Sequence, residues 1–127
     1  MIIDEKTIKI KVAGIAYDIS VKYRSESEDL IIFLHGLGCS KDSFEDAWNH
    51  NDLTQQSLLS FDLLGFGRSE KPDEFTYSLE DHARVCEATI RSFPEDRLHI
   101  VAHSMGGAIG LLLSDDILNT VISFVNV

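Results

Sequence analysis

The chain predicts an α/β fold: an open, mostly parallel sheet with an N-terminal antiparallel hairpin and flanking helices. Three observations carry that reading. Residues 7–12 (TIKIKV) and 15–21 (IAYDISV) alternate apolar and polar side chains about Ala13-Gly14, the pattern of a half-buried hairpin. Four later stretches, LIIFLH (30–35), SLLSFD (57–62), LHIVAH (98–103) and VISFVNV (121–127), are apolar almost throughout, as strands buried on both faces require. Between them the apolar spacing changes to that of a helix.

The clearest helix is 78–93, where Leu79, Ala83, Cys86 and Ile90 recur at four, three and four residues and so share one face. Ser78 with Asp81 three residues on is a near match to a capping box, and Pro94 closes the segment. A second helix is expected just after Ser104, carrying Ala108, Leu111 and Leu112 inward before Asp115-Asp116, and a short third one in 42–50. The order is hairpin, strand, helix, strand, helix, strand, helix, strand, with right-handed crossovers expected in the parallel part. SESED (25–29) reads as a charged turn, and no repeat or Pro/Gly/Ser-rich linker divides the 127 residues, so one domain is expected.

Composition narrows the partners. With 11 basic and 21 acidic residues the net charge is −10, a field that repels nucleic acid and anionic membrane. Cys39 and Cys86 have no metal-ligand or C-x-x-C spacing, so reduced thiols and no metal or cofactor are expected. The first residues, MIIDEKTIKIKV, carry charge where a signal peptide needs an apolar core, and no apolar stretch approaches the ~18 residues of a membrane span. A cytoplasmic location is the expectation.

The chemistry concentrates in Ala102-His103-Ser104-Met105-Gly106, where a buried strand gives way to a helix. Such a corner lifts a hydroxyl clear of the sheet and sets the first free N–H groups of the helix, that of Met105 foremost, beside any oxygen that turns negative during attack on a carbonyl. On these residues alone Ser104 is either a nucleophile or a helix cap whose glycines permit tight packing. His35-Gly36-Leu37-Gly38 follows another buried strand, and in an open α/β sheet the loops after parallel strands share one rim. The Leu37 N–H can then face the Met105 N–H, which favours the nucleophile.

Taken together, HGLG after a strand, the run Phe61-Asp62-Leu63-Leu64-Gly65-Phe66-Gly67-Arg68-Ser69, and VAHSMGG resemble the α/β-hydrolase superfamily, in its serine-nucleophile branch. The resemblance implies that Ser104 is the catalytic nucleophile of an esterase-like acyl hydrolase acting on a small-molecule acyl substrate. It implies that Leu37 and Met105 give the oxyanion amides, and that His35 and Gly36 shape the oxyanion loop and, with Phe66, border the substrate. Two departures are visible: Ala102 stands where the family usually has Gly, and Leu64 where Arg or Pro is more usual.

An acyl-serine mechanism also needs a base and an acid that orients it, in the order Ser, Asp or Glu, His for this fold. After Ser104 the chain has Asp115 and Asp116 but no histidine. Among the earlier ones, His103 reads as a packing residue, His35 as a brace for its loop, His50 and His82 as solvated, and His99 as facing either core or water. Residues 1–127 therefore read as a truncated hydrolase domain ending at about the sixth strand, inactive alone, with the last strands, the cap and the triad acid and base beyond Val127. The alternative is a non-catalytic binding or interaction module that kept the pocket, with self-association through strand 121–127 as its candidate contact.

Overall fold

The computed structural model describes residues 2–127. Six strands form one sheet in the order β1-β2-β4-β3-β5-β6, where β1 is Asp4–Val12, β2 Ile15–Arg24, β3 Asp29–Leu34, β4 Ser57–Phe61, β5 Arg97–Ala102 and β6 Val121–Asn126. The β1–β2 hairpin is antiparallel over its whole length, and β2 meets β4 antiparallel. From β4 through β3 and β5 to β6 every pairing is parallel. The expected open α/β sheet is therefore present, with the hairpin longer at both outer ends than its alternating core.

Helix α2, Leu79–Ile90, lies where the 3.6-residue period put it and buries Ala83, Cys86 and Ile90, whereas Leu79 at its first turn is exposed. The Ser78 hydroxyl accepts from the Asp81 N–H at 3.1 Å. The reciprocal half of a capping box is missing, because the Asp81 carboxylate takes the Thr76 hydroxyl, and Thr76 also receives the Ser78 N–H. The segment 42–50 is less helical than expected: a 3-10 turn at Lys41–Phe44 runs into a single α turn, α1, Glu45–Trp48.

The helix after Ser104, α3, spans Met105–Leu111 and reverses the expected orientation. Ala108 is half-buried, and Leu111 and Leu112 are 66% and 45% exposed. The buried face is Gly106, Gly107, Ile109 and Gly110, followed by Leu113. The reason is close approach. A Cβ on Gly106 would lie 2.4 Å from the Leu34 carbonyl oxygen, and one on Gly110 would lie 2.8 Å from the Phe124 ring. The glycine stripe lets the helix backbone rest on the sheet, which turns the leucines outward. A one-turn helix the sequence did not suggest, α4 at Asp115–Leu118, follows, capped by the Ser114 hydroxyl.

One apolar core, including Ile19, Leu30, Ile32, Leu59, Ile100 and Cys86, fills the space between the sheet and α2 and α3. A smaller cluster of Phe33, Trp48 and Leu58 seats α1 on the opposite face. The Trp48 indole N–H donates to Ser60 Oγ at 2.9 Å, and the Lys22 ammonium sits 4.7 Å above its ring. Arg24, fully buried, donates to the carbonyls of Leu53 and Gln56 and so closes the turn before β4.

Gly106→Ala forces a methyl group into backbone and is expected to destabilise by about 3 kcal/mol or to unfold the chain. Leu111→Ala, on the outward face, should cost no more than ~0.5 kcal/mol. Urea midpoints of the two variants measure the contrast.

Candidate active site

Leu34 and Ala102 are register partners at the ends of parallel strands β3 and β5, so the chains leaving them run side by side. The His103 N–H donates to the Leu34 carbonyl at 3.0 Å. Immediately afterwards Ser104 adopts φ 53°, ψ −119°, a left-handed conformation that strains a residue bearing a Cβ by about 1–3 kcal/mol. Its side chain makes no capping hydrogen bond and is exposed, so the capping alternative is not what the structure contains. The Gly106 and Gly107 N–H groups turn back to the carbonyls of His103 and Ser104 at 3.0 and 2.9 Å. Among the described residues no carbonyl accepts from the Met105 N–H or the Leu37 N–H.

The His35-Gly36-Leu37-Gly38 loop lies directly against this corner. A Cβ on Gly36 would stand 3.2 Å from Ser104 Cβ and 2.9 Å from His103 Nδ1, so the loop's closeness depends on glycine there. Cys39 N–H donates to the Gly36 carbonyl and closes the turn, leaving Leu37 70% exposed at its tip. His35 and Gly36 are themselves buried. Of the residues expected to border a substrate, His35 and Gly36 thus lie beneath the rim and Phe66 is half-buried, while Leu37 and Met105, expected as amide donors, are exposed and half-buried.

His35 acts on the loop from beneath. Its Nε2 accepts the Leu63 N–H at 2.9 Å, which fixes the proton on Nδ1, and Nδ1–H then donates to the Gly36 carbonyl at 2.8 Å. Burial pushes this imidazole below its ordinary value, so it is held neutral. The Phe66 ring meets it edge-on at 5.7 Å.

A second tie joins the same two loops. The Asp62 carboxylate, fully buried, accepts from the Lys41 N–H at 2.7 Å, the Lys41 ammonium at 3.1 Å and the Arg68 N–H at 2.9 Å. Burial alone would raise this carboxyl, but the Lys41 and Arg68 amides and the Lys41 charge outweigh it and hold it below the usual carboxylate range. Gly67, at φ 53°, is required here: a Cβ would fall 2.3 Å from the Asp62 carboxyl carbon. Ser69 completes the knot by donating to the Asp62 carbonyl and accepting the Ser20 N–H. The sequence pointed to the 62–69 turn but not to Lys41, because a partner 21 residues away in another loop leaves no periodic trace.

Two other histidines differ from expectation. His82 is buried at 2% exposure, not solvated, because Phe66, Phe75 and Tyr77 close over it with ring centroids 6.1, 5.3 and 5.9 Å away. Burial pushes its imidazole down, and the nearby His35 adds to that. His103, read as a packing residue, is exposed. His50 is exposed as expected. His99 is half-buried and bonded to Asp29 and Ser123. Both cysteines are free; Cys86 is fully buried, which pushes its thiol up, and Cys39 is half-buried. Among the described residues no group of three or more acidic, His or Cys side chains could hold a metal ion, and no helix is long and apolar enough to cross a membrane.

A strained serine at a strand-to-helix corner, faced by a glycine loop from the neighbouring strand, is the arrangement of the alpha/beta hydrolase fold, whose family model matches residues 29–125. The chain belongs to that family. It is 41% identical over 91 residues to the Arabidopsis thaliana protein named "Probable lysophospholipase BODYGUARD 4", covering 70% of this chain and 22% of that one. It is 28% identical over 85 residues to the Bos taurus "Mesoderm-specific transcript homolog protein", covering 65% and 25%. Among solved structures, a bacterial membrane phospholipase A aligns with TM-score 0.78 and 26% identity, over 98% of this chain and 39% of that one. The Vigna radiata epoxide hydrolase VrEH1 shares the fold with TM-score 0.83 at 22% identity, over 98% and 39%. The chain spans about a quarter or less of the curated relatives' length.

Asp62→Asn leaves the buried Lys41 ammonium without a counter-charge and is expected to cost about 3–5 kcal/mol in urea unfolding. In the natural chain, Asp62 has a folded value below its unfolded 3.8, so its contribution is present above 3.8 and is lost as pH falls through the folded value. His35 and His82, also depressed, contribute stability that is full above 6.5 and declines as pH falls below it. The slope reaches about 1.4 kcal/mol per pH unit for each imidazole. A urea midpoint that does not change between pH 7 and 5 contradicts the neutral, buried state of both rings.

Proposed function

We propose that Ser104 is the nucleophile of an acyl hydrolase that cleaves esters through an acyl-serine intermediate. The observation that carries this reading is the strained, uncapped Ser104 against the Gly36 loop, where among the described residues no carbonyl accepts from the Leu37 or Met105 N–H. Oγ attacks the ester carbonyl carbon, its proton passes to a base, the carbonyl oxygen becomes an oxyanion held by the two amides, and the alcohol leaves. Water then releases the acid. Phe66 and the exposed Leu37 border the acyl group. The name lysophospholipase, carried by the Arabidopsis relatives, supports a single-chain acyl glycerophospholipid as the first substrate to test.

The base and its orienting acid are to be sought outside these 127 residues. His35 has both ring nitrogens engaged, His82 is enclosed by aromatic rings, His99 is committed to Asp29 and Ser123, and the exposed His50 and His103 precede Ser104, whereas the base of this fold follows its serine. The 127-residue chain alone is therefore expected to turn over little substrate, since a serine without its base loses most of the triad's contribution.

Fluorophosphonate labelling and peptide mapping of the full-length protein test the assignment. Ser104 should carry the phosphonyl group, and Ser104→Ala should remove the label there and lower kcat on esters by on the order of a million-fold. A folded full-length protein whose ester turnover survives Ser104→Ala overturns it.

A further inference from the structure

His82, in the first turn of α2, is a buried imidazole among aromatic rings. Its Nδ1 is enclosed and has no hydrogen-bond partner among the described residues. Burying a polar atom in this state is destabilising, and a leucine or phenylalanine in its place would avoid the loss. The rings that enclose it, Phe66, Phe75 and Tyr77, all come from the irregular loop that leads into α2, so the enclosure is internal to this part of the fold.

Phe66 is in ring contact with both buried imidazoles, with centroids 5.7 Å from His35 and 6.1 Å from His82. The two histidines are not equivalent as proton acceptors. His35 Nε2 already accepts the Leu63 N–H and can take a proton only by giving up that bond. His82 has no such bond to lose, and a charge on either ring opposes a charge on the other. Among the described residues the carboxylate that favours a charged His82 is Asp81, already shared by Thr76 and Arg84. Tyr77 donates its hydroxyl to the Pro72 carbonyl, Cys86 one turn along α2 stays a neutral thiol, and Asp62 and Lys41 are paired with each other.

A proton on His82 therefore puts an uncompensated charge inside an apolar shell, and the shell must yield. Its weak point is Tyr77, at φ 59°, a left-handed conformation strained for a residue with a side chain. The Tyr77 ring lies on the backbone beside Phe66: a Cβ on Gly65 would stand 2.3 Å from Tyr77 Cε1. Displacing Tyr77 thus loosens Phe66. We propose that His82 is a positioning residue for the Ser104 reaction: as a neutral ring it helps hold Phe66 as a wall for the acyl group, and on taking a proton it releases that wall. The proposal rests on the reading of Phe66 as a border of the acyl group.

The test uses the full-length protein with 4-fluorophenylalanine at position 66 and carbon-13 histidine, both followed by NMR from about pH 8 to about pH 5. The fluorine signal is expected to shift in one transition that coincides with titration of the His82 ring, with a midpoint below 6.5, while circular dichroism stays native. His82→Gln, folded at neutral pH, should abolish that transition. Across it, KM for p-nitrophenyl octanoate relative to p-nitrophenyl acetate should rise on the order of tenfold. The catalytic base acts on both esters alike, so its own titration cancels in the ratio. The proposal is overturned by the lack of a fluorine transition while the chain stays folded, by a transition that persists in His82→Gln, or by a KM ratio constant through it. The fluorine signal needs no turnover and is independent of Ser104, whose failure shows instead as ester turnover surviving Ser104→Ala.

Discussion

The buried Asp62–Lys41 pair is the constraint on which the rim depends. A carboxylate and an ammonium removed from water are costly unless each is fully met, and here the carboxylate accepts two backbone amides as well as the charge. The two amides come from the loop after β3 and from the turn after β4, so the pair joins loops that the sheet itself leaves free. His35 adds a second link between them by holding Leu63 and Gly36 at once. Both ties hold the loop in which Gly36 abuts Ser104. The geometry of the Gly36–Gly38 loop is thus a consequence of the buried ion pair and hydrogen bonds behind it.

Much of this could be read from the residues. Alternation located the hairpin, and unbroken apolar runs located β3, β4, β5 and β6; β4 is buried throughout, whereas β6, read as buried on both faces, is half-buried or exposed at every position. The runs were less informative about where ladders end. His35, Asp62 and His103 each close an apolar run, and each lies just past its strand, where the chain turns into a loop. The residues with chemistry are those at which hydrophobic pattern and hydrogen-bonded ladder part company.

Other features left weaker traces. Leu111 and Leu112 read as core from their helical spacing, yet the surface α3 offers the sheet is mostly glycine backbone with Ile109, a face whose hydrophobic signal is weak. His82 read as solvated because its burial depends on Phe66, Phe75 and Tyr77, which come from a loop with no regular period. The pairing of Lys41 with Asp62 and the line through Asp29, His99 and Ser123 are tertiary facts, set by strand order. Ser104 itself was legible because its neighbours on both sides are regular elements, and the strain at φ 53° is the geometric form of that junction.

The glycine stripe of α3 has a further consequence for how such a chain can vary. Gly106 rests on the Leu34 and His35 carbonyls, Gly107 on the Asn126 amide and Gly110 on the Phe124 ring. The helix works as a gauge block between the central strand and the last one, setting the height at which Ser104 stands above the sheet. Any added carbon on that face would lift the corner away from its facing loop. Variation at the rim must therefore enter through the loops, while Leu111 and Leu112, outside the gauge, can drift without moving the serine.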